Sequence, residues 1–139
     1  MYLIDTVVLS EMRKRRRHPG IVRWLQGKTA DTLFLSAVTI GEVERGIDLQ
    51  RAGDPVFAEA LASWLDRTIE LYADRILPVT TPIARRWGRL GARIGHGGAD
   101  LLIAATALEF GLIVVTRNIR HFAPTGAVVE DPFAERPPR

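Results

Sequence analysis

The run Leu-Ile-Val-Val-Thr at residues 112–116 constrains the fold of this chain more than any other feature of its sequence. The run is apolar up to its last residue, it is rich in β-branched side chains, and a glycine directly precedes it. A short run of this kind predicts a strand that is buried on both faces, as in the interior of a parallel sheet. The fold must therefore cover both sides of this strand.

Further short strands are predicted elsewhere in the chain, and helical patterns separate them. The strand segments are residues 2–4, 33–38, 75–80 and 127–131. Among the helices, the one that follows Gly53 has the clearest start, with Asp54 as N-cap and Pro55 at the first helical position. Strands that alternate with helices predict an α/β fold, in which helices cover both faces of a mostly parallel sheet.

The length and composition predict a single ordinary domain. The chain has 139 residues, of which 47% are hydrophobic, and it contains no cysteine, so disulfides and thiolate metal sites are excluded. The first residues are predicted to form a strand, so we expect no secretion signal and a cytoplasmic location. We expect one domain over residues 1–131, followed by a frayed, Pro-rich tail over residues 132–139.

The charge of the chain is moderately basic and comes almost entirely from arginine. The net charge is +3 and the pI is about 9.9, and the only dense basic patch is the run from Arg13 to His18. Arginine pairs well with phosphate, so this bias suits a nucleic-acid or acidic partner. The base composition of the genome explains the bias equally well, and the patch also suits a solvated helix end.

Four polar residues are candidates for a site at the carboxyl edge of the sheet, where ligands bind in such folds. Asp5 directly follows the first strand, Glu42 lies near the start of the helix after the second, and Asn118 follows the 112–116 strand. Asp100 opens an apolar helix after a glycine-rich turn.

Each of these residues also has a purely structural interpretation. Asp5 and Asp100 suit helix N-caps, Thr39 with Glu42 fits a capping box, and Asn118 fits a turn. Taken together the four point to chemistry, because an ionised Asp at the start of a buried helix needs a partner and clustered carboxylates need a cation. An all-oxygen set of this kind is preferred by Mg²⁺ or Mn²⁺.

Other sites that use similar sheets are excluded by single residues. A phosphatase with an aspartyl-phosphate intermediate needs a second acid at position 7, which here is Val7. The chain has no phosphate-binding loop of the G-x-x-x-x-G-K-[ST] type and no zinc-binding spacing of histidines.

Four segments of the chain together resemble the PIN-domain nucleases, most closely the VapC toxins of bacterial toxin–antitoxin pairs. These segments are YLIDTVVLSE, LSAVTIGEVERG, GADLLIAATAL and LIVVTRNIRHF, and they occur in the family's order over essentially the whole chain. The resemblance implies a three-layer α/β/α fold with a mostly parallel sheet. It also implies an endoribonuclease that depends on Mg²⁺ or Mn²⁺, acts as a homodimer and is silenced by a VapB antitoxin.

The resemblance also assigns roles to residues. The acidic positions of the family fall on Asp5, Glu42 and Asp100, which would hold the metal, and the fourth falls on Asn118. Thr6 and Thr116 occupy the supporting hydroxyl positions. Residues expected to contact RNA phosphates are Arg117, Arg13, Arg15, Arg16 and Arg17.

Two positions depart from the family pattern. Val7 replaces a common Asn, and Asn118 is an amide in place of an acid. Both favour an alternative in which the chain is a weakened PIN-like module that binds antitoxin or RNA without cutting. A DNA nuclease is a further alternative. The histidines, His18, His96 and His121, are expected to have no catalytic role.

Overall fold

A computed structural model, which describes residues 1–134, confirms the predicted α/β architecture. Five strands form one parallel sheet in the spatial order β3-β2-β1-β4-β5. The strands are β1 (Tyr2–Ile4), β2 (Leu33–Ser36), β3 (Ile76–Leu77), β4 (Ile113–Val115) and β5 (Val129–Glu130). The helices are α1 (Thr6–Met12), α2 (Pro19–Gln26), α3 (Ala37–Arg51), α4 (Pro55–Tyr72), α5 (Thr81–Ile94), α6 (Ala99–Phe110) and α7 (Ile119–Phe122).

The sheet is buried between two layers of helices, which explains why its strands are apolar on both faces. On one face Ile4 and Val115 pack with residues of α1 and α2. On the other face Leu3 and Val114 pack against α6 and α7, and α5 packs on the outer side of α6. The strand predicted over residues 112–116 is β4 (Ile113–Val115), an interior strand between β1 and β5, as predicted.

The helix starts and ends follow from local sequence. Asp54 caps α4, where its Oδ1 accepts a hydrogen bond from the backbone N–H of Phe57 at 3.0 Å, with Pro55 at the first position. Gly111 ends α6 in the left-handed conformation, with φ of 65°, which glycine adopts without strain. Within residues 1–134, no helix is long and apolar enough to cross a membrane.

The structure differs from the predicted tail at its first residues. Pro132 and Phe133 are buried, and the Phe133 ring lies 5.1 Å from the ring of His18 and 4.4 Å from the guanidinium of Arg117. An aromatic side chain that buries its area against α2 is held in place even in a Pro-rich segment. The remainder of the predicted tail, residues 135–139, lies outside the described residues.

Candidate active site

Asp5 is the buried centre of the candidate site. It follows β1 and precedes α1, and its side chain is only 3% exposed. Its Oδ1 accepts a hydrogen bond from the backbone N–H of Thr6 at 2.8 Å, and its Oδ2 accepts one from the Thr116 hydroxyl, also at 2.8 Å. Thr116 follows β4, so the two neighbouring strands β1 and β4 fix this carboxylate from both sides.

The environment of Asp5 disfavours its negative charge. Burial is the largest cause and raises the pKa of Asp5 above its usual value, and the charges of Asp100 and Glu42 raise it further. The hydrogen bonds from Thr116 and Thr6 act in the opposite direction without cancelling the rise in pKa. These surroundings therefore favour the protonated form of Asp5 in the absence of a cation.

The structure ties Glu42 to this site rather than to the start of its helix. The N-cap of α3 is Ser36, whose Oγ accepts from the N–H of Val38 at 3.1 Å, so the alternative interpretation of Thr39 and Glu42 as a capping box is wrong. The helix begins earlier because Ser36, at the very end of β2, already supplies the capping oxygen. Glu42 lies beyond the first turn, and its Oε1 accepts from the Thr6 hydroxyl at 2.7 Å.

Asp100 is not a helix cap either, because the N-cap of α6 is Gly98 and Asp100 lies inside the first turn. Its Oδ2 lies 2.8 Å from Nδ1 of His121, a residue of α7. The side chains are 30% and 60% exposed respectively. The partner that an Asp at this position was expected to need is therefore a histidine.

His121 is the residue that sequence reasoning missed. The sequence predicts no catalytic role for it, but this exposed histidine contacts Asp100. The sequence did hold one signal: His121 lies three residues after Asn118, about one helical turn, so in a helix the two side chains would lie on the same face. That spacing predicts neighbouring side chains only once a helix is assigned there.

Asn118 lies at the same edge, at the N-cap of α7, but its side chain makes no capping hydrogen bond. Its backbone N–H donates to the Thr116 hydroxyl at 2.9 Å, the same hydroxyl that donates to Asp5. The Asn118 amide is exposed at the rim of the site, which leaves its oxygen free for a ligand.

The acids suit a divalent cation in their chemistry, although they do not converge into a finished ligand set. Over residues 1–134, no three acidic or histidine side chains lie close enough together to hold a metal ion. Asp5, Glu42 and Asp100 nevertheless interact electrostatically, and their oxygens are the ligands that Mg²⁺ and Mn²⁺ prefer. A cation that draws the three together would relieve the excess charge, so the donor set fits one.

The arginines expected to contact RNA occupy two places near this edge. Arg13 ends α1 with its guanidinium 5.5 Å from the centroid of the Phe57 ring, and Arg117 lies over Phe133. The segment with Arg15, Arg16 and Arg17 is exposed and follows α1.

Comparison with known proteins gives one consistent family. The family model described as PIN domain matches residues 2–126. The VapC ribonuclease Y4jK of Sinorhizobium fredii is 30% identical, in a match that covers 96% of this chain and 98% of that protein.

Solved structures match the fold as well as the sequence. The crystal structure of FitAcB from Neisseria gonorrhoeae superposes with a TM-score of 0.81 at 31% identity, covering 96% of this chain and 99% of that chain. A member of the VapBC family of toxin–antitoxin systems from Mycobacterium tuberculosis gives a TM-score of 0.58 at 28% identity, covering 92% and 94% of the two chains.

Proposed function

The chain belongs to the PIN domain family, and on that premise we propose that it is a divalent-metal-dependent endoribonuclease, the toxin of a VapBC-type pair. The observation that carries the proposal is the buried carboxylate of Asp5, whose pKa is raised by burial and by the charges of Asp100 and Glu42. The similarity to a protein named as a VapC ribonuclease over almost the full length of both chains supports the choice of RNA.

Asp5, Glu42 and Asp100 are the residues that would hold Mg²⁺ or Mn²⁺, and Asn118 offers a neutral oxygen beside them. Such an ion, when bound, lowers the pKa of water to supply a nucleophile and stabilises negative charge on phosphoryl oxygens. A histidine base is not required for this chemistry.

The residues around the acids position them for that task. Thr116 and the backbone of Thr6 hold the two oxygens of Asp5 in fixed directions, and the Thr6 hydroxyl fixes Glu42. His121 orients Asp100 through a 2.8 Å contact. Because Asp5 is almost fully buried, little bulk water competes for its oxygens, and its interactions with charge are strong.

RNA would be held mainly by its phosphates. Arg13, Arg117 and the exposed run Arg15, Arg16 and Arg17 are available for such contacts, which position the strand without reading its sequence. A single-stranded segment is the expected substrate, since unpaired nucleotides can be splayed into a cleft whereas the bases of an A-form helix cannot.

An antitoxin of the VapB type is the proposed protein partner, with a homodimer as the proposed state of the chain and the cytoplasm as its location. The similarity to a VapBC toxin–antitoxin structure at 28% identity supports the partner. The surfaces of α3 and α4 also expose the apolar side chains of Leu49, Val56 and Leu71, which are 70%, 80% and 71% exposed. Burial against another protein would remove this area from water.

One alternative retains specific support. Val7, where the family commonly has Asn, is 37% exposed beside the site, and Asn118 supplies no charge. These residues favour a module that binds antitoxin or RNA without cutting it.

Incubation of the purified protein with structured RNA and, in parallel, with single-stranded DNA tests the proposal. We expect RNA cleavage in Mg²⁺ that stops on addition of EDTA, and no cleavage by Asp100→Asn. RNA left intact in Mg²⁺ and in Mn²⁺ would favour the binding module, and cleavage of DNA alone would favour the DNA nuclease.

A further inference from the structure

A groove between α1, α3 and α4 opens directly from the candidate active site. Its volume is about 250 Å³. Thr6 and Glu42, which belong to the acidic site, form one end of the groove. Further along, aliphatic side chains of α3 and α4 line it together with Ser10, Arg13, Gly46, Gln50, Phe57 and Trp64. A ligand in this groove would therefore lie beside the phosphodiester that is cleaved at the acidic site.

The walls of the groove offer the surfaces on which nucleobases stack. Phe57 and Trp64 are aromatic. Phe57 is 38% exposed although it belongs to an apolar helix face, whereas Trp64 is half-buried and also packs against the core. The guanidinium of Arg13 lies over that ring at 5.5 Å. Unpaired bases stack on aromatic rings and on guanidinium planes, and an arginine beside them can also pair with phosphate.

The lining of the groove includes polar groups of the kind that bind the edge of a base. Ser10 contributes a hydroxyl, and Gln50 contributes an amide that offers both a donor and an acceptor. The groove is smaller than a typical drug-binding pocket, which runs to roughly 300–1,000 Å³, and this suits a single ring system better than a folded peptide.

Gly46 is a residue of the groove wall whose packing does not require a glycine. It lies in the interior of α3, it is exposed, and a Cβ built there would meet no atom within 4 Å. Glycine is less favourable than alanine in a helix interior, so its presence lowers helix stability without any packing need. Its effect is to keep one wall of the groove open to the backbone.

We propose that this groove binds an unpaired nucleobase of the RNA, next to the phosphate at the acidic site. The inference rests on the proposed function. Arg13 complements the negative charge of RNA. Because Thr6 and Glu42 line the same groove, a base bound in it would lie next to the phosphate that reacts. These two features favour RNA over a protein segment as the occupant.

Binding of a fluorescent, short single-stranded RNA in EDTA tests the proposal without any need for cleavage. Gly46→Leu fills the groove with a side chain that favours the helix, so the fold should be retained, as a melting curve will show. The matched control is Gly88→Leu, at an exposed helical glycine of α5 that also meets no atom within 4 Å. We expect Gly46→Leu to weaken RNA binding by roughly tenfold, about the loss of one base–aromatic stack, and Gly88→Leu to leave it unchanged.

The smaller change Gly46→Ala is measured alongside, in case the leucine variant does not fold. A second arm measures Mg²⁺-dependent cleavage of the same RNA carrying an abasic nucleotide at each position around the cut. We expect an abasic nucleotide at one position to slow cleavage by the wild type. Gly46→Leu should cut this RNA and the intact RNA at the same rate.

A folded Gly46→Leu that binds RNA like the wild type would overturn the proposal, even if the wild type cuts RNA normally. Unchanged RNA binding together with loss of the antitoxin complex would overturn it as well and would assign the groove to the protein partner. If RNA binding in EDTA depends on Gly46 but no RNA is cut in Mg²⁺, the base site stands and the proposed function fails.

Discussion

At the residue scale, Asp5 shows most clearly where folding and function conflict. A carboxylate that is 3% exposed and faces two further acids is a poor choice for stability alone. Thr116 and Thr6 satisfy its hydrogen-bonding capacity but do not offset its desolvation. Polar groups that reduce stability in this way are typical of sites kept for function.

Asp5→Asn is therefore expected to leave the metal-free protein at least as stable as the wild type at neutral pH. The pKa of Asp5 is raised above 3.8, so the folded protein binds this proton more tightly than the unfolded chain. The wild type consequently loses stability as the pH rises from the unfolded pKa through the raised one, and the asparagine variant lacks this loss. Urea unfolding in EDTA should give a higher free energy of unfolding for Asp5→Asn than for the wild type near pH 7. This difference should shrink towards about pH 4.

The control for this prediction is Asp66→Asn, at an exposed acid of α4. It should show no comparable change with pH. If Asp5→Asn instead lowers the free energy of unfolding equally at both ends of the pH range, lost hydrogen bonds rather than buried charge dominate at this position.

At the scale of elements, the start of α3 determines where Glu42 points. With Ser36 as N-cap, Glu42 lies beyond the first turn and reaches Thr6 of α1, so that β2, α3 and α1 are connected at the site. A start at Thr39 would have used the Glu42 carboxylate inside its own helix.

Ser36→Ala and Glu42→Gln should separate these two roles. Ser36→Ala removes the cap and is expected to cost about 1 kcal/mol of unfolding free energy. Glu42→Gln keeps an oxygen that can accept from Thr6, so we expect near wild-type stability with loss of RNA cleavage. Stability from urea unfolding and cleavage rate are measured on both variants, and destabilisation by Glu42→Gln of the same size would restore the capping interpretation.

The elements themselves were largely predictable from the sequence, whereas several contacts at the site were not. Apolar runs and the Asp54 cap carry local information, so the strands and helices follow from short segments. The approach of His121 to Asp100 and the burial of Phe133 depend on how distant segments pack, and no short pattern encodes them. The cap of α3 was missed because Ser36 and Thr39 compete for the same role within four residues.

At the scale of the whole molecule, a small net charge of +3 hides an uneven distribution. The buried Asp5 and the more exposed Glu42 and Asp100 lie at one edge of the sheet. The segment with Arg15, Arg16 and Arg17 is exposed and follows α1, the helix that Asp5 caps. This arrangement suits a polyanion that must be drawn towards a negatively charged site.

Neutralising those three arginines to glutamine should weaken RNA binding and flatten its dependence on salt, because each phosphate contact releases counterions. The matched control neutralises Arg45, Arg67 and Arg85, which are exposed on three different helices and change the net charge equally. Binding is measured in EDTA over a series of salt concentrations. An equal change in slope for both triple variants would mean that net charge alone, and not this segment, attracts RNA.

Calorimetric titration of the RNA-free protein with Mn²⁺ measures directly whether the acids at the sheet edge form a site for a divalent cation. Asp5, Glu42 and Asp100 supply three negative charges if all are ionised, so one ion leaves the site near −1 and a second would leave it near +1. We predict that the wild type binds one Mn²⁺, that Asp5→Asn loses this binding, and that Asn118→Asp gains affinity for a second ion. Equal Mn²⁺ binding by the wild type and Asp5→Asn, or no binding by either, would mean that these acids do not form a cation site.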